Sequence, residues 1–133
     1  MYMLDTNICI FVLKHRSEKL RRKFKAIKSL CISSITYGEL CFGIENGDPN
    51  RRESRYRQLE SFTQRLLIDP FDEEAARQYG MIRATLKRDG SIIGNNDLFI
   101  AAHARSIEAV LVTNNTKEFS RVLDLTIEDW LLN

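Results

Sequence analysis

The chain has 133 residues, the size of one domain, and 44% hydrophobic and 29% charged residues with only 6 Gly and 2 Pro exclude a disordered chain, a collagen-like repeat and a linker-rich fragment. The longest strictly apolar run, Ile8 to Leu13, is far shorter than the roughly 20 residues that span a bilayer. The net charge of +2 is unevenly placed: Lys14 to Lys28 holds eight Lys or Arg against Glu18 alone, a local +7 that leaves −5 for the rest of the chain.

Short apolar runs alternate with longer amphipathic segments. Met1 to Leu4 reads as a strand, and Thr6 to about Lys14 as a helix that Asp5 or Thr6 can cap. Ser17 to Lys28 is a second helix, with Leu20, Phe24 and Ile27 on one face. Leu30 to Ser33 is a strand, after which Ser33 or Ser34 caps a helix to about Glu45, ended by Gly47, Asp48, Pro49 and Asn50. Arg51 to Leu66 is helical, and Leu66 to Ile68 is a third strand stopped by Asp69 and Pro70. Asp72 caps a long helix to about Arg88, which Asp89 and Gly90 end. A further helix runs from Asn95 or Asn96 to Ser106. Val110 to Thr113 is a fourth strand, Thr116 to Arg121 a short helix, and Leu125 to Ile127 a candidate fifth strand. This alternation predicts an α/β layer fold over residues 1–133 as a single domain, with a mostly parallel sheet of four to five strands flanked by helices.

No basic region precedes an apolar stretch at the N-terminus, so no signal peptide is expected. The 3 Cys show no C-x-x-C spacing and suggest neither a disulfide framework nor a Cys-based zinc site. A reduced cytoplasm is the expected location. Cys9, Cys31 and Cys41 fall among apolar residues and read as small core side chains.

In an open parallel sheet, ligands bind outside the carboxyl ends of the strands. Asp5, Ser33 with Ser34, Asp69, and Thr113 to Asn115 fall at those ends. Glu39 lies in mid-helix among Ile35, Thr36, Phe42 and Gly43, a largely apolar face on which a carboxylate needs a compensating partner such as a cation or an Arg. Asp97 opens an otherwise apolar helix, where an acid complements the dipole and would sit at the rim of the sheet. If Asp5, Glu39 and Asp97 converge, each pair repels by about 4 kcal/mol at 4 Å and an effective dielectric near 20. Such a cluster persists if a divalent metal neutralises it or some acids stay protonated. All-oxygen ligands favour Mg²⁺ or Mn²⁺ over Zn²⁺, and carboxylate-held metals beside a basic surface suggest phosphodiester hydrolysis.

Four segments, MLDTN (Met3 to Asn7), ISSITYGEL (Ile32 to Leu40), GNNDLFIAAHA (Gly94 to Ala104) and LVTNNTKEF (Leu111 to Phe119), come in this order across nearly the whole chain. Together they resemble the PIN-domain ribonucleases, most closely the VapC-type toxins of bacterial toxin–antitoxin modules. The resemblance implies a three-layer PIN-like fold and an endoribonuclease dependent on Mg²⁺ or Mn²⁺. Asp5, Glu39 and Asp97 then stand as the catalytic and metal-holding acids, with Asn7 and Thr113 orienting acids and waters. Many members carry a fourth acid two residues after the Thr that ends the fourth strand. Here that position is Asn115, and Glu118, one turn later, can supply the missing charge; both are candidate metal ligands. The resemblance further implies an RNA substrate, often tRNA and in enterobacterial-type relatives the anticodon stem-loop of initiator tRNA. It also implies products with a 5′-phosphate and a 3′-hydroxyl, a homodimer, and a VapB-type antitoxin that lays a C-terminal segment across the cleft.

The cations Lys19, Arg21, Arg22, Lys23 and Lys25 read either as a solvated helix face or as contacts to an RNA backbone. His15 and His103 read as surface or partly buried structural residues, since His103 lies about 120° around its helix from Asp97. Two other functions are open: a PIN fold that binds RNA or a partner but cuts poorly, and a phospho-receiver with Asp69 as acceptor. The receiver reading lacks an acidic pair after the first strand and a Lys-Pro after the last, and leaves Glu39 and Asp97 unexplained.

Overall fold

In the computed structural model, residues 1–15 and 17–132 are described; Arg16, one of the eight cations of the basic segment, and Asn133 lie outside them. Five strands form one sheet: β1 Tyr2–Leu4, β2 Leu30–Ser33, β3 Leu67–Asp69, β4 Val110–Val112 and β5 Ile127–Glu128. Their order is β3-β2-β1-β4-β5 and every pairing is parallel. The inner strands are apolar on both faces, as a sheet covered on both sides requires. Met3, Cys31 and Leu111 look to one layer of helices, with Ile82, Leu86, Leu98 and Phe119. Leu4, Ile32 and Val112 look to the other, with Ile8, Leu20, Leu40, Leu59 and Trp130. Period-2 alternation along strands of three and four residues thus feeds two cores and gives the expected three layers.

Among the described residues seven α-helices follow: α1 Thr6–Lys14, α2 Glu18–Ala26, α3 Ser34–Glu45, α4 Arg52–Thr63, α5 Glu73–Arg88, α6 Asn95–Ser106 and α7 Thr116–Phe119. Four start on capping side chains. Asp5 accepts from the amide of Ile8 at 2.8 Å, Ser17 from Leu20 at 3.3 Å, Ser33 from Ile35 at 3.1 Å and Asp72 from Ala75 at 3.0 Å, each cap worth about 1 kcal/mol. Helix α5 carries Glu73 and Glu74 in its first turn and Lys87 and Arg88 in its last, which suits its dipole. Gly90, at φ +66°, then reverses the chain in a conformation that side-chain-bearing residues avoid.

Of the boundaries that differ from the sequence reading, three bear on the sheet. Helix α4 stops at Thr63 rather than Leu66, because the chain must turn before β3. Strand β3 begins at Leu67 and takes in Asp69, since β2 continues to Ser33 and pairs with it in register. Strand β5 lies at Ile127–Glu128, where the amides of Leu111 and Thr113 reach the carbonyls of Thr126 and Glu128. Cys9 and Cys31 are fully buried as small core side chains, and Cys41 is half-buried.

Candidate active site

Strand numbering reverses direction at β1, which sits between β2 and β4. This switch point opens a crevice at the carboxyl ends of β1 and β4, and Asp5 and Thr113 are the residues that immediately follow those two strands. The Asp5 amide donates to the Val112 carbonyl at 3.0 Å, which pins the loop to the sheet. Asp5 is buried and caps α1, and the Thr113 hydroxyl donates to its carboxylate. Burial raises its proton affinity, and Glu39 and Asp129 add to that. The Thr113 and Ile8 hydrogen bonds oppose it without cancelling it.

Asp97 lies in the first turn of α6, half-buried at the same crevice. Burial, then the charges of Glu118, Asp5 and Glu39 together with a hydrogen bond to Glu118, push its pKa up to about 6. Glu118, on α7, moves the other way. It accepts from the Gly94 amide at 2.6 Å and from Asn115 Nδ2 at 2.7 Å, which holds its carboxyl below the usual value. Asn115 Nδ2 also lies 3.3 Å from Asp97 Oδ2. The amide that replaces the expected fourth acid therefore bridges two carboxylates. Its donor hydrogens partly offset their repulsion, as a positive charge would.

Glu39 projects from α3 with both carboxylate oxygens engaged. Thr6 Oγ1 donates to Oε1 at 2.8 Å and Asn96 Nδ2 to Oε2 at 2.6 Å. The Thr36 hydroxyl sits 3.2 Å from that of Thr6 and backs it. The predicted apolar face is more open than its composition suggested, since Phe42 is 68% exposed and Gly43 is exposed. Among the described residues no Arg pairs with Glu39; the first turns of α1 and α6 hold it instead.

The remaining expectations divide. Thr113 is buried, with its hydroxyl oxygen also accepting from the Asn115 amide at 2.9 Å. Asn7 is exposed and forms no side-chain hydrogen bond among the described residues. Three of the five α2 cations have partners within the fold: Lys19 Nζ donates to the Leu132 carbonyl at 2.9 Å, Arg21 lies 3.9 Å from Glu18, and Lys23 sits over the Trp130 ring. Arg22 and Lys25 are exposed.

His103 has the structural role the sequence suggested but is more deeply buried than the surface or partly buried position expected: it is 1% exposed, with Nδ1 2.7 Å from Ser33 Oγ and Nε2 2.7 Å from Asp69 Oδ2. Ser33 and Asp69 are register partners across β2 and β3, so the imidazole ties α6 to both strand ends. A buried His needs two such partners; their position was invisible before the strands were paired. His15 stays exposed against Phe11. With Asp69 bonded to a buried His and a strand order other than the receiver's 2-1-3-4-5, the receiver reading has no support. Thr6, Thr36, Asn96 and Asp129 were not anticipated. All are polar residues at element ends, which look like caps until their neighbours are known.

The donor set is carboxylate and amide oxygen, which suits hard divalent cations. Among the described residues no group of three His, Cys, Asp or Glu side chains is close enough to form a metal cage. Mg²⁺ does not need one, because it binds through one or two carboxylates plus waters and substrate phosphates. Burial first, and neighbouring carboxylates second, raise the proton affinities of Asp5 and Asp97, and a bound cation would offset both. The residues present fit it.

The PIN domain family matches residues 2–124. Ribonuclease VapC2 of Haemophilus influenzae is 42% identical over 131 residues, covering 98% of each chain. The tRNA(fMet)-specific endonuclease VapC of Shigella flexneri is 43% identical over 130 residues, 97% of each. The DNA-bound VapBC crystal structure from Salmonella typhimurium superimposes with a TM-score of 0.93 at 43% identity, again over 97% of each chain. The order of the four motifs, the parallel sheet and these full-length similarities agree: the chain belongs to the PIN-domain family, among the VapC ribonucleases.

Proposed function

We propose that residues 1–133 act as one domain, the toxin of a toxin–antitoxin pair, and hydrolyse tRNA with Mg²⁺ or Mn²⁺ at the crevice between β1 and β4. The observation that carries this reading is the meeting of Asp5, Glu39, Asp97 and Glu118 at a topological switch point, with Asp97 pushed to about 6 by burial and by the other three charges. Asp5, Asp97 and Glu39 are the residues to hold the cation, with Asn115 and Glu118 beside them and Thr113 fixing Asp5. Once bound, a divalent cation offsets the charge of the phosphate and eases loss of a proton from water. The chain's own part is to hold the carboxylates in place before substrate arrives: α1 and α6 pin both oxygens of Glu39, and the Gly94 amide and Asn115 pin Glu118. Water, rather than the ribose 2′-hydroxyl, is the nucleophile, which leaves a 5′-phosphate and a 3′-hydroxyl. A histidine acid–base pair has no place in this reading, because both ring nitrogens of His103 are committed inside the protein.

Two relatives are named as tRNA(fMet)-specific endonucleases, which supports initiator tRNA as target. The similar structures from Rickettsia felis, Salmonella typhimurium and Haemophilus influenzae are VapBC assemblies, which supports a VapB-type antitoxin. A homodimer and a cytoplasmic location complete the proposal; among the described residues no helix is long and apolar enough to cross a membrane. The test is cleavage of total tRNA with Mg²⁺, with Mn²⁺ and with EDTA, using an identically purified Asp5→Asn variant. Discrete fragments that require metal and vanish in the variant are expected. Equal cutting by both proteins would remove Asp5 from the site.

A further inference from the structure

A cavity of about 510 Å³ runs between α1, α3 and α4, and Glu39 lines it together with Lys14, Gly43, Arg51 and Arg55. The candidate catalytic crevice and this groove therefore share a carboxylate. The cations of the neighbouring segment sort by face. Arg52 and Arg57 pair with Glu45 and Glu53 at 3.5 and 3.0 Å. Lys14, Arg51 and Arg55 line the groove, and among the described residues their side chains form no ion pair or hydrogen bond. Arg55 passes close over Gly47: its Nη1 would lie 2.9 Å from a Cβ built there. Three unpaired cations beside a cluster of acids would ordinarily be neutralised within the fold; left free, they match an external polyanion.

The groove wall adds a second, independent observation. Gly43 lies one turn after Glu39 on the same face of α3, and a Cβ there would meet nothing within 4 Å. Packing does not demand this glycine, and a helix interior disfavours it relative to Ala. Its effect is to let a backbone-sized ligand approach the helix beside Glu39.

We propose that the groove between α1, α3 and α4 is the track by which the RNA phosphate backbone enters the site, with Lys14, Arg51 and Arg55 as phosphate contacts and Gly43 as the point of closest approach. This rests on the ribonuclease reading and places the substrate cations here rather than on α2. They position RNA and do not read its sequence. The test measures binding of a fluorescein-labelled tRNA transcript by anisotropy across KCl concentrations, in an Asp5→Asn background that prevents cutting. The double variant Arg51→Gln/Arg55→Gln is expected to weaken binding about tenfold and to flatten the log–log salt slope by about 1.5 to 2. Gly43→Gln should hold or slightly raise the melting temperature, since Gln is the better helix former and has open space there, and should still weaken binding. Arg57→Gln, on the paired face, should change neither affinity nor slope. Unchanged affinity and slope in the double variant, or an equal loss in Arg57→Gln, overturns the track and leaves the catalytic assignment standing. The catalytic assignment fails separately, if Asp5→Asn cuts as fast as the parent protein.

Discussion

Asp97→Asn should make the metal-free protein more stable while destroying its activity. In the folded chain Asp97 has a pKa of about 6 against an ordinary 3.8, so the folded state binds its proton more tightly than the unfolded state does. Below the ordinary value both states are protonated and the residue carries no penalty. Between that value and about 6 the unfolded chain ionises first, and above it the whole penalty is present. At about 1.4 kcal/mol per tenfold change in proton affinity, the full lift corresponds to about 3 kcal/mol. Asp97 keeps part of its surface in water, and solvent screening reduces the expected gain to about 1–2 kcal/mol. Asparagine preserves the shape, and its amide can donate to Glu118 as the protonated acid does. The assay is urea unfolding of parent and variant in EDTA at several pH values. The variant's advantage should be near zero at pH 4 and greatest above pH 7. Mg²⁺ should stabilise the parent more than the variant. A variant that is no more stable at pH 7.5, or whose advantage does not fade on acidification, would refute the account of Asp97 as a carboxylate disfavoured by burial and by its acidic neighbours.

Three further outcomes follow from the same geometry. Asp5→Asn should retain the fold, because Asn caps α1 as well as Asp does, whereas Asp5→Ala should lose about 1 kcal/mol in urea unfolding as well as activity. Asn115→Asp should lower metal-free stability by about 1–2 kcal/mol, through a third negative charge beside Asp97 and Glu118, and should enlarge the rise in melting temperature that Mg²⁺ produces. His103→Leu should cost about 2–4 kcal/mol by leaving buried Ser33 and half-buried Asp69 without their shared partner, read as a lower urea midpoint with unchanged slope.

Much of the architecture was legible in the order of residues. Asp5, Ser33 and Asp72 announced helix starts because a short polar side chain before an apolar run has few other local uses. The apolar triplets around Met3, Cys31 and Leu111 announced strands covered on both faces. Their ends were less legible: β3 gained Asp69 and α4 lost Leu66 because register with β2 sets where pairing begins. The acids were visible as candidates for the same local reasons. Asp5 follows a strand, Glu39 interrupts an apolar helix face, and Asp97 opens an apolar helix.

Only the folded chain decided what holds them. Glu39 answers to Thr6 and Asn96, which lie 33 and 57 residues away in sequence, and no periodicity encodes such a meeting. Asn115 reads in the sequence as a missing charge; in the structure it is the amide that joins Asp97 to Glu118. His103 read as a surface or partly buried structural residue, and pairing of β2 with β3 makes it the buried link between those strands and α6. Likewise, the α2 cations form the densest basic stretch in the sequence, but it is Lys14, Arg51 and Arg55 that share a groove with Glu39. Local chemistry shows which side chains are costly to bury, and the sheet order, by setting β1 beside β4, determines which of them must share one crevice and repel.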